Sequence, residues 1–160
     1  VNAVIKVNEE AGRIVYTLDI YGQIDSGQAQ WFENLQTTFP DYINYRGIVD
    51  YDESVDVLKN YFALLFPTYY NGEGFAGTIL DAMAAGIPIV ASNWKYNTEI
   101  INENIGFVYP VRDQESFIRI LKMVADNPRI LLDKKKDCLR EAGKYTPSFV
   151  LRSLKSRIQV

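Results

Sequence analysis

The sequence predicts an α/β protein built on a parallel sheet, a Rossmann-like three-layer α/β/α arrangement. Three observations predict it. Short runs rich in β-branched and aromatic residues alternate with stretches of helical periodicity. The run Ala63-Leu64-Leu65-Phe66-Pro67 is apolar enough for a strand covered on both faces. No internal repeat or low-complexity segment interrupts the alternation.

Each element has its own signal. Val1, Val4, Ile5 and Asn8 fall at helical spacing and Gly12 ends that helix. Residues 13–21, with Ile14, Val15, Tyr16, Thr17 and Ile20, predict a strand closed by Gly22. Ser26 is placed to cap a helix to about residue 38, with Trp31, Phe32 and Leu35 on one face, before Pro40 stops it. A short strand at 42–45 follows, then a helix over 53–60 capped by Asp52 and turning Val55, Leu58 and Tyr61 inward. Beyond the strand at 63–66 come a helix over 78–85, a strand over 87–91, a short helix over 97–102 and an edge strand at 106–109. Residues 114–126 align Phe117, Leu121 and Val124 on one helical face, and Pro128 breaks it. Helices over 130–143 and 147–158 complete the chain, and Lys134-Lys135-Lys136-Asp137 reads as a solvated face.

Composition narrows the function. With 160 residues, 48% hydrophobic and 23% charged, the chain can bury one sizeable core, and a single domain is expected. A net charge of −3 gives no basic field for nucleic acid and disfavours anionic lipid, so membrane contact is expected to be at most peripheral. The single Cys138 cannot form an internal disulfide and fits a reducing, cytoplasmic setting. There is no histidine, which removes Ser-His triads, imidazole bases and the common zinc sites. Neither G-x-G-x-x-G nor a P-loop signature occurs. The carboxylates remain as the chemistry-bearing groups.

Two of them bracket a glycine-rich bend. Glu73 precedes Gly74-Phe75-Ala76-Gly77, and Asp81 follows eight positions after Glu73 inside a run of good helix formers. The first amides of such a helix lack internal partners and carry the positive end of its dipole, which suits a phosphate or a set of hydroxyls. Each carboxylate can accept two hydroxyl hydrogen bonds, as a vicinal diol requires. Following an apolar strand, the pair is placed at the carboxyl edge of a sheet, where open α/β sheets bind ligands.

This stretch resembles the retaining GT-B nucleotide-sugar glycosyltransferases of the family 4, or group 1, type. Their pattern is a carboxylate in an E-G-F-G context, a second carboxylate eight positions on, then A-M-A-x-G-x-P-V-V-A. Here Glu73 and Asp81 are followed by Ala82-Met83-Ala84-Ala85-Gly86-Ile87-Pro88-Ile89-Val90-Ala91. The segment Trp94-Lys95-Tyr96-Asn97-Thr98-Glu99-Ile100-Ile101 is similar to the family's loop and short helix after the next strand, and Gly106-Phe107-Val108-Tyr109-Pro110 to its G-x-L-V-x-P. Two positions depart from the pattern: the second acid, usually Glu, is Asp81, and the usual second glycine is Ala76 with Gly77 following.

The resemblance implies the C-terminal, donor-binding half of a GT-B fold, truncated at its opening strand, with the acceptor domain and a basic diphosphate-binding pair expected before residue 1. It implies Glu73 on the donor sugar's hydroxyls and Asp81 on the ribose diol, with Gly74, Phe75, Ala76, Gly77 and Thr78 near the sugar and pyrophosphate. Gly47 and Val49 would flank the nucleobase, and Asn97 would sit in a cleft-lining loop. The implied reaction is glycosyl transfer from a nucleotide-sugar to a glycan or lipid-linked glycan with retention, needing no metal or cofactor, as in polysaccharide biosynthesis. Little turnover is expected of this half alone. The alternatives are a non-catalytic Rossmann-like module binding a nucleotide-sugar or a protein, and a GT-B nucleotide-sugar epimerase.

Overall fold

The computed structural model describes residues 1–158. In chain order the elements are α1 (Asn2–Ala11), β1 (Leu18–Tyr21), a 3-10 turn (Ser26–Gln28), α2 (Ala29–Gln36), β2 (Ile43–Gly47), α3 (Ser54–Leu58) and β3 (Leu64–Phe66). Then follow α4 (Gly77–Ala84), β4 (Ile89–Ser92), α5 (Asn97–Ile100), β5 (Gly106–Tyr109), α6 (Gln114–Asp126), α7 (Arg129–Leu132), α8 (Lys135–Ala142), a second 3-10 turn (Gly143–Tyr145) and α9 (Pro147–Ile158). All strand pairs are parallel, as the alternation of strands and helices predicts. The chain forms two compact units.

The first unit holds residues 1–51 and 114–126. Its sheet is the pair β1–β2, and α1 packs on α6 through Val4, Val7, Leu121 and Val124, all buried. Glu10 and Lys122 form an ion pair between these helices. The predicted strand over 13–21 is shorter than its composition suggests, and the cause is Asn8. Its Oδ1 accepts from the amides of Val15 and Tyr16 at 2.9 Å each, and its Nδ2 donates to the Tyr16 carbonyl at 2.8 Å. The side chain thus takes backbone groups that a ladder would have used. The Tyr16 hydroxyl donates to the Leu121 carbonyl at 2.7 Å, and burial pushes its pKa to about 12. Asp25, not Ser26, caps the next segment by accepting from the Gly27 amide at 2.8 Å. The helix itself ends at Gln36 rather than near residue 38, and Trp31 lies exposed rather than on a buried face.

The second unit holds Asp52–Asp113 and the chain from Asn127 onward. Its strands run in the order β3-β4-β5. Strand β4 is buried at all four residues, and its core neighbours are Ile79, Ala82 and Met83 of α4, Ile87, Ile100, Ile105 and Cys138. The buried positions of α4 fall at i, i+3 and i+4, which is the spacing of one helical face. The helix is ended by Gly86 at φ 70°, whose amide bonds the Met83 carbonyl while the Ile87 amide bonds that of Ala82. This Schellman turn drops the chain into β4. Gly106 is required at the neck of β5, because a Cβ there would lie 2.0 Å from the Ile89 carbonyl oxygen.

Two other predicted helices are modified. Helix α3 starts at Ser54 and has no side-chain cap, so Asp52 does not serve as one. The expected helix over 130–143 is split into α7 and α8 by a tighter turn at Asp133 and Lys134, where the Lys134 amide bonds the Leu131 carbonyl. Lys134 is not a purely solvated charge, since its amine donates to the Glu103 carbonyl and lies 5.2 Å from the centre of the Phe107 ring.

Candidate functional site

The second unit positions both carboxylates. Glu73 lies in the loop after β3, at the carboxyl end of the parallel sheet. Thr68 fixes it, with the Oγ1 hydroxyl donating to Glu73 Oε2 at 3.1 Å. The same Thr68 oxygen accepts from the Tyr70 amide at 3.3 Å, and the Ser92 hydroxyl at the end of β4 donates to the Thr68 carbonyl. One threonine therefore ties the acid, its own loop and the neighbouring strand together.

Asp81 lies one turn into α4 and is half-buried. Its Oδ2 accepts from the Ser54 hydroxyl at 2.7 Å, so the first residue of α3 holds the second acid. Between the two acids, Ala76 is buried in extended conformation as the residue before α4, and no side chain caps the helix. Gly74, Phe75, Gly77 and Thr78 are exposed. The ring of Phe75 lies 5.6 Å from that of Tyr145. The segment thus presents an uncapped helix start flanked by two carboxylates, each already holding one hydroxyl donor.

Asn97, expected in a cleft-lining loop, is 1% exposed and donates through Nδ2 to the Ser92 carbonyl at 3.0 Å. Its amide anchors the start of α5 to the end of β4. Gly47 and Val49 belong to the first unit. Gly47 closes β2 at φ 82° and accepts from the Gly22 amide at 2.9 Å, while Val49 is half-buried. That unit also contains a pocket of about 230 Å³ lined by residues that include Tyr21, Gly22, Asp25, Phe32 and Tyr45. Among the described residues no group of three or more Cys, Asp or Glu is arranged to hold a metal ion. No helix among them is long and apolar enough to cross a membrane.

Sequence reasoning missed Thr68 and Ser54, the two hydroxyls that hold the acids. Thr68 stands five residues before Glu73, but Tyr69, Tyr70 and Asn71 between them offer competing donors, so the sequence did not single it out. Ser54 carried none, because its partner is 27 positions away.

Solved structures share this fold. The pneumococcal O-GlcNAc transferase GtfA, in complex with UDP and GlcNAc, superposes with a TM-score of 0.71 at 21% identity, over 98% of this chain and 31% of its own. HepE from Anabaena, in complex with UDP and glucose, gives 0.76 at 12% identity over 99% of this chain and 44% of its own. The C-terminal domain of a group 1 glycosyl transferase (LpcC) from Francisella tularensis gives 0.74 at 15% identity over 89% and 75%. The chain therefore spans 31% and 44% of the lengths of the first two. No curated protein matches the sequence. The family model for glycosyl transferases group 1 matches residues 1–127, and the chain belongs to that family.

Proposed function

We propose that this chain is the donor-binding part of a glycosyltransferase that moves a sugar from a nucleotide-sugar to a glycan or lipid-linked glycan with retention at the anomeric carbon. The observation that carries the reading is the placement of Glu73, tied to Thr68 at the carboxyl end of the sheet and leading directly into the uncapped start of α4. In this reading Glu73 accepts hydrogen bonds from the donor sugar's hydroxyls and Asp81, steadied by Ser54, accepts from the ribose diol. The backbone of Gly74–Thr78 would lie against the sugar and pyrophosphate. As the sugar–phosphate bond breaks, negative charge gathers on the departing diphosphate, and in this reading the amides at the start of α4 would stabilise it. No step calls for a metal. A separate domain of the parent polypeptide would complete the acceptor side of the site, so the isolated chain would bind donor with little turnover.

GtfA and HepE were solved with UDP, which makes a uridine diphosphate sugar the first donor to try. Calorimetry with UDP, GDP, UDP-glucose and UDP-GlcNAc is expected to show saturable binding of the uridine series. Glu73→Gln should weaken the sugar nucleotides while leaving UDP near its original affinity, and Asp81→Asn should weaken both. A lost hydrogen bond to a charged group is worth about 1.5–3 kcal/mol, or roughly ten- to a hundredfold in Kd. Binding by both variants equal to that of the unaltered chain would remove the carboxylates from the site.

A further inference from the structure

We propose that the loops following β3, β4 and β5 form a saccharide-binding platform in which Tyr70 and Tyr96 each offer a ring face to a sugar. This deepens the proposed transfer reaction by supplying a site for the acceptor glycan, and the word acceptor rests on that reading.

The three loops are fastened into one rim. The Trp94 indole Nε1 donates to the Tyr70 carbonyl at 2.7 Å, and the Val111 amide donates to Asn93 Oδ1 at 2.6 Å. The Arg112 guanidinium lies 5.0 Å from the centre of the Tyr69 ring, which joins the third loop to the first. Among the described residues the two non-glycine residues with positive φ are Lys95 at 49° and Arg112 at 64°, one in each of the latter two loops. Side chains rarely adopt this conformation without a surrounding structure that imposes it, and such residues gather at binding sites.

The rings differ in what covers them. Lys95 lies over Trp94 at 5.8 Å and Arg112 over Tyr69, so cations occupy those faces. Tyr70 and Tyr96 are 70% and 51% exposed and have no ring or cation partner among the described residues. Tyr70 is also set in place from below. A Cβ at Gly72 would lie 2.6–2.7 Å from its ring atoms, so the ring rests against the bare backbone of that glycine.

Exposed aromatic rings separated by polar backbone suit the alternating C–H and hydroxyl faces of a pyranose better than the continuous apolar centre of a protein interface. Asn71, next to Tyr70, and Lys95, next to Tyr96, supply polar groups for the hydroxyls.

The test reads Trp94 fluorescence in a Trp31→Phe background during titration with chitohexaose, cellohexaose and hyaluronan hexasaccharide, with uridine as a control. Saturable binding of at least one oligosaccharide is expected. Tyr70→Ala and Tyr96→Ala should each weaken it about tenfold, as loss of one ring contact would. Gly72→Ala should do the same with an unchanged melting temperature, because the added methyl meets only the movable end of Tyr70. Glu73→Gln and Asp81→Asn should leave oligosaccharide binding intact. Failure of the unaltered chain to bind any nucleotide would count against the donor reading and not against the platform. The platform is overturned if none of the three oligosaccharides binds, if binding survives both tyrosine changes, or if uridine binds and is lost with Tyr70→Ala.

Discussion

Strand β4 of the second unit is buried at every residue, whereas in the first unit β1 has no buried residue and β2 has one. The second unit closes its interior by enclosing an apolar strand between strands and helices, the usual economy of a parallel sheet. The first closes its interior largely between α1 and α6, and it holds the approach to β1 with side-chain hydrogen bonds from Asn8 and Tyr16. The contrast explains where the motif sits. Loops that must hold Glu73 in place need stiff strand ends beneath them, and an enclosed strand supplies these better than an exposed pair.

Hydrogen exchange read by mass spectrometry can follow each unit separately and so break or sharpen the contrast. The largest effect is expected from Gly106→Ala, which drives a methyl into the Ile89 carbonyl and should cost more than about 4 kcal/mol, with protection lost in β4 and β5. If β4 stays protected, the close pairing at Gly106 is not what seals that unit. Met83→Ala, at a site with no exposure, should cost about 2–5 kcal/mol by urea denaturation. Asn8→Ala removes a buried side chain that makes three hydrogen bonds and should cost about 1–3 kcal/mol, read as faster exchange over residues 15–21. An effect equal to that of Met83→Ala would mean the polar ties matter as much as the apolar core.

The smallest effect is alkaline. Burial pushes the Cys138 thiol up to about 11, and the Tyr16 and Tyr109 hydroxyls to about 12. These groups keep their protons in the folded chain after the unfolded chain has lost them, so stability falls as pH rises. The loss begins near pH 9 for the thiol and near pH 10 for the tyrosines, and by pH 10 the thiol alone removes about 1.4 kcal/mol. Cys138→Ala should flatten the stability curve between pH 9 and 10, and an unchanged slope would assign the loss elsewhere.

Legibility in the sequence followed how local the cause was. Helix α6, helix α9 and strand β5 were readable to the residue, because glycine, proline and periodicity mark their ends in their own segments. The start of β1 was not, because the competing hydrogen bonds come from Asn8 on another element. The helix cap at Asp25 was missed by one residue, since Asp and Ser compete at adjacent positions. The glycine-rich bend before α4 was visible from composition, but the hydroxyls that hold its acids depend on tertiary neighbours. Asn97 was assigned to a loop surface, yet its amide is enclosed against β4, because a polar side chain next to a strand end can serve the backbone as readily as a ligand.

The bond from Thr68 occupies one oxygen of Glu73, and among the described residues nothing occupies the other. A carboxylate held in this way is lopsided: one oxygen keeps both of its acceptor positions and the other keeps one. In the proposed site it would act as a stereochemical gauge, favouring the epimer whose hydroxyl arrives from the open side, and Thr68→Val would leave it symmetric and less able to tell the two apart.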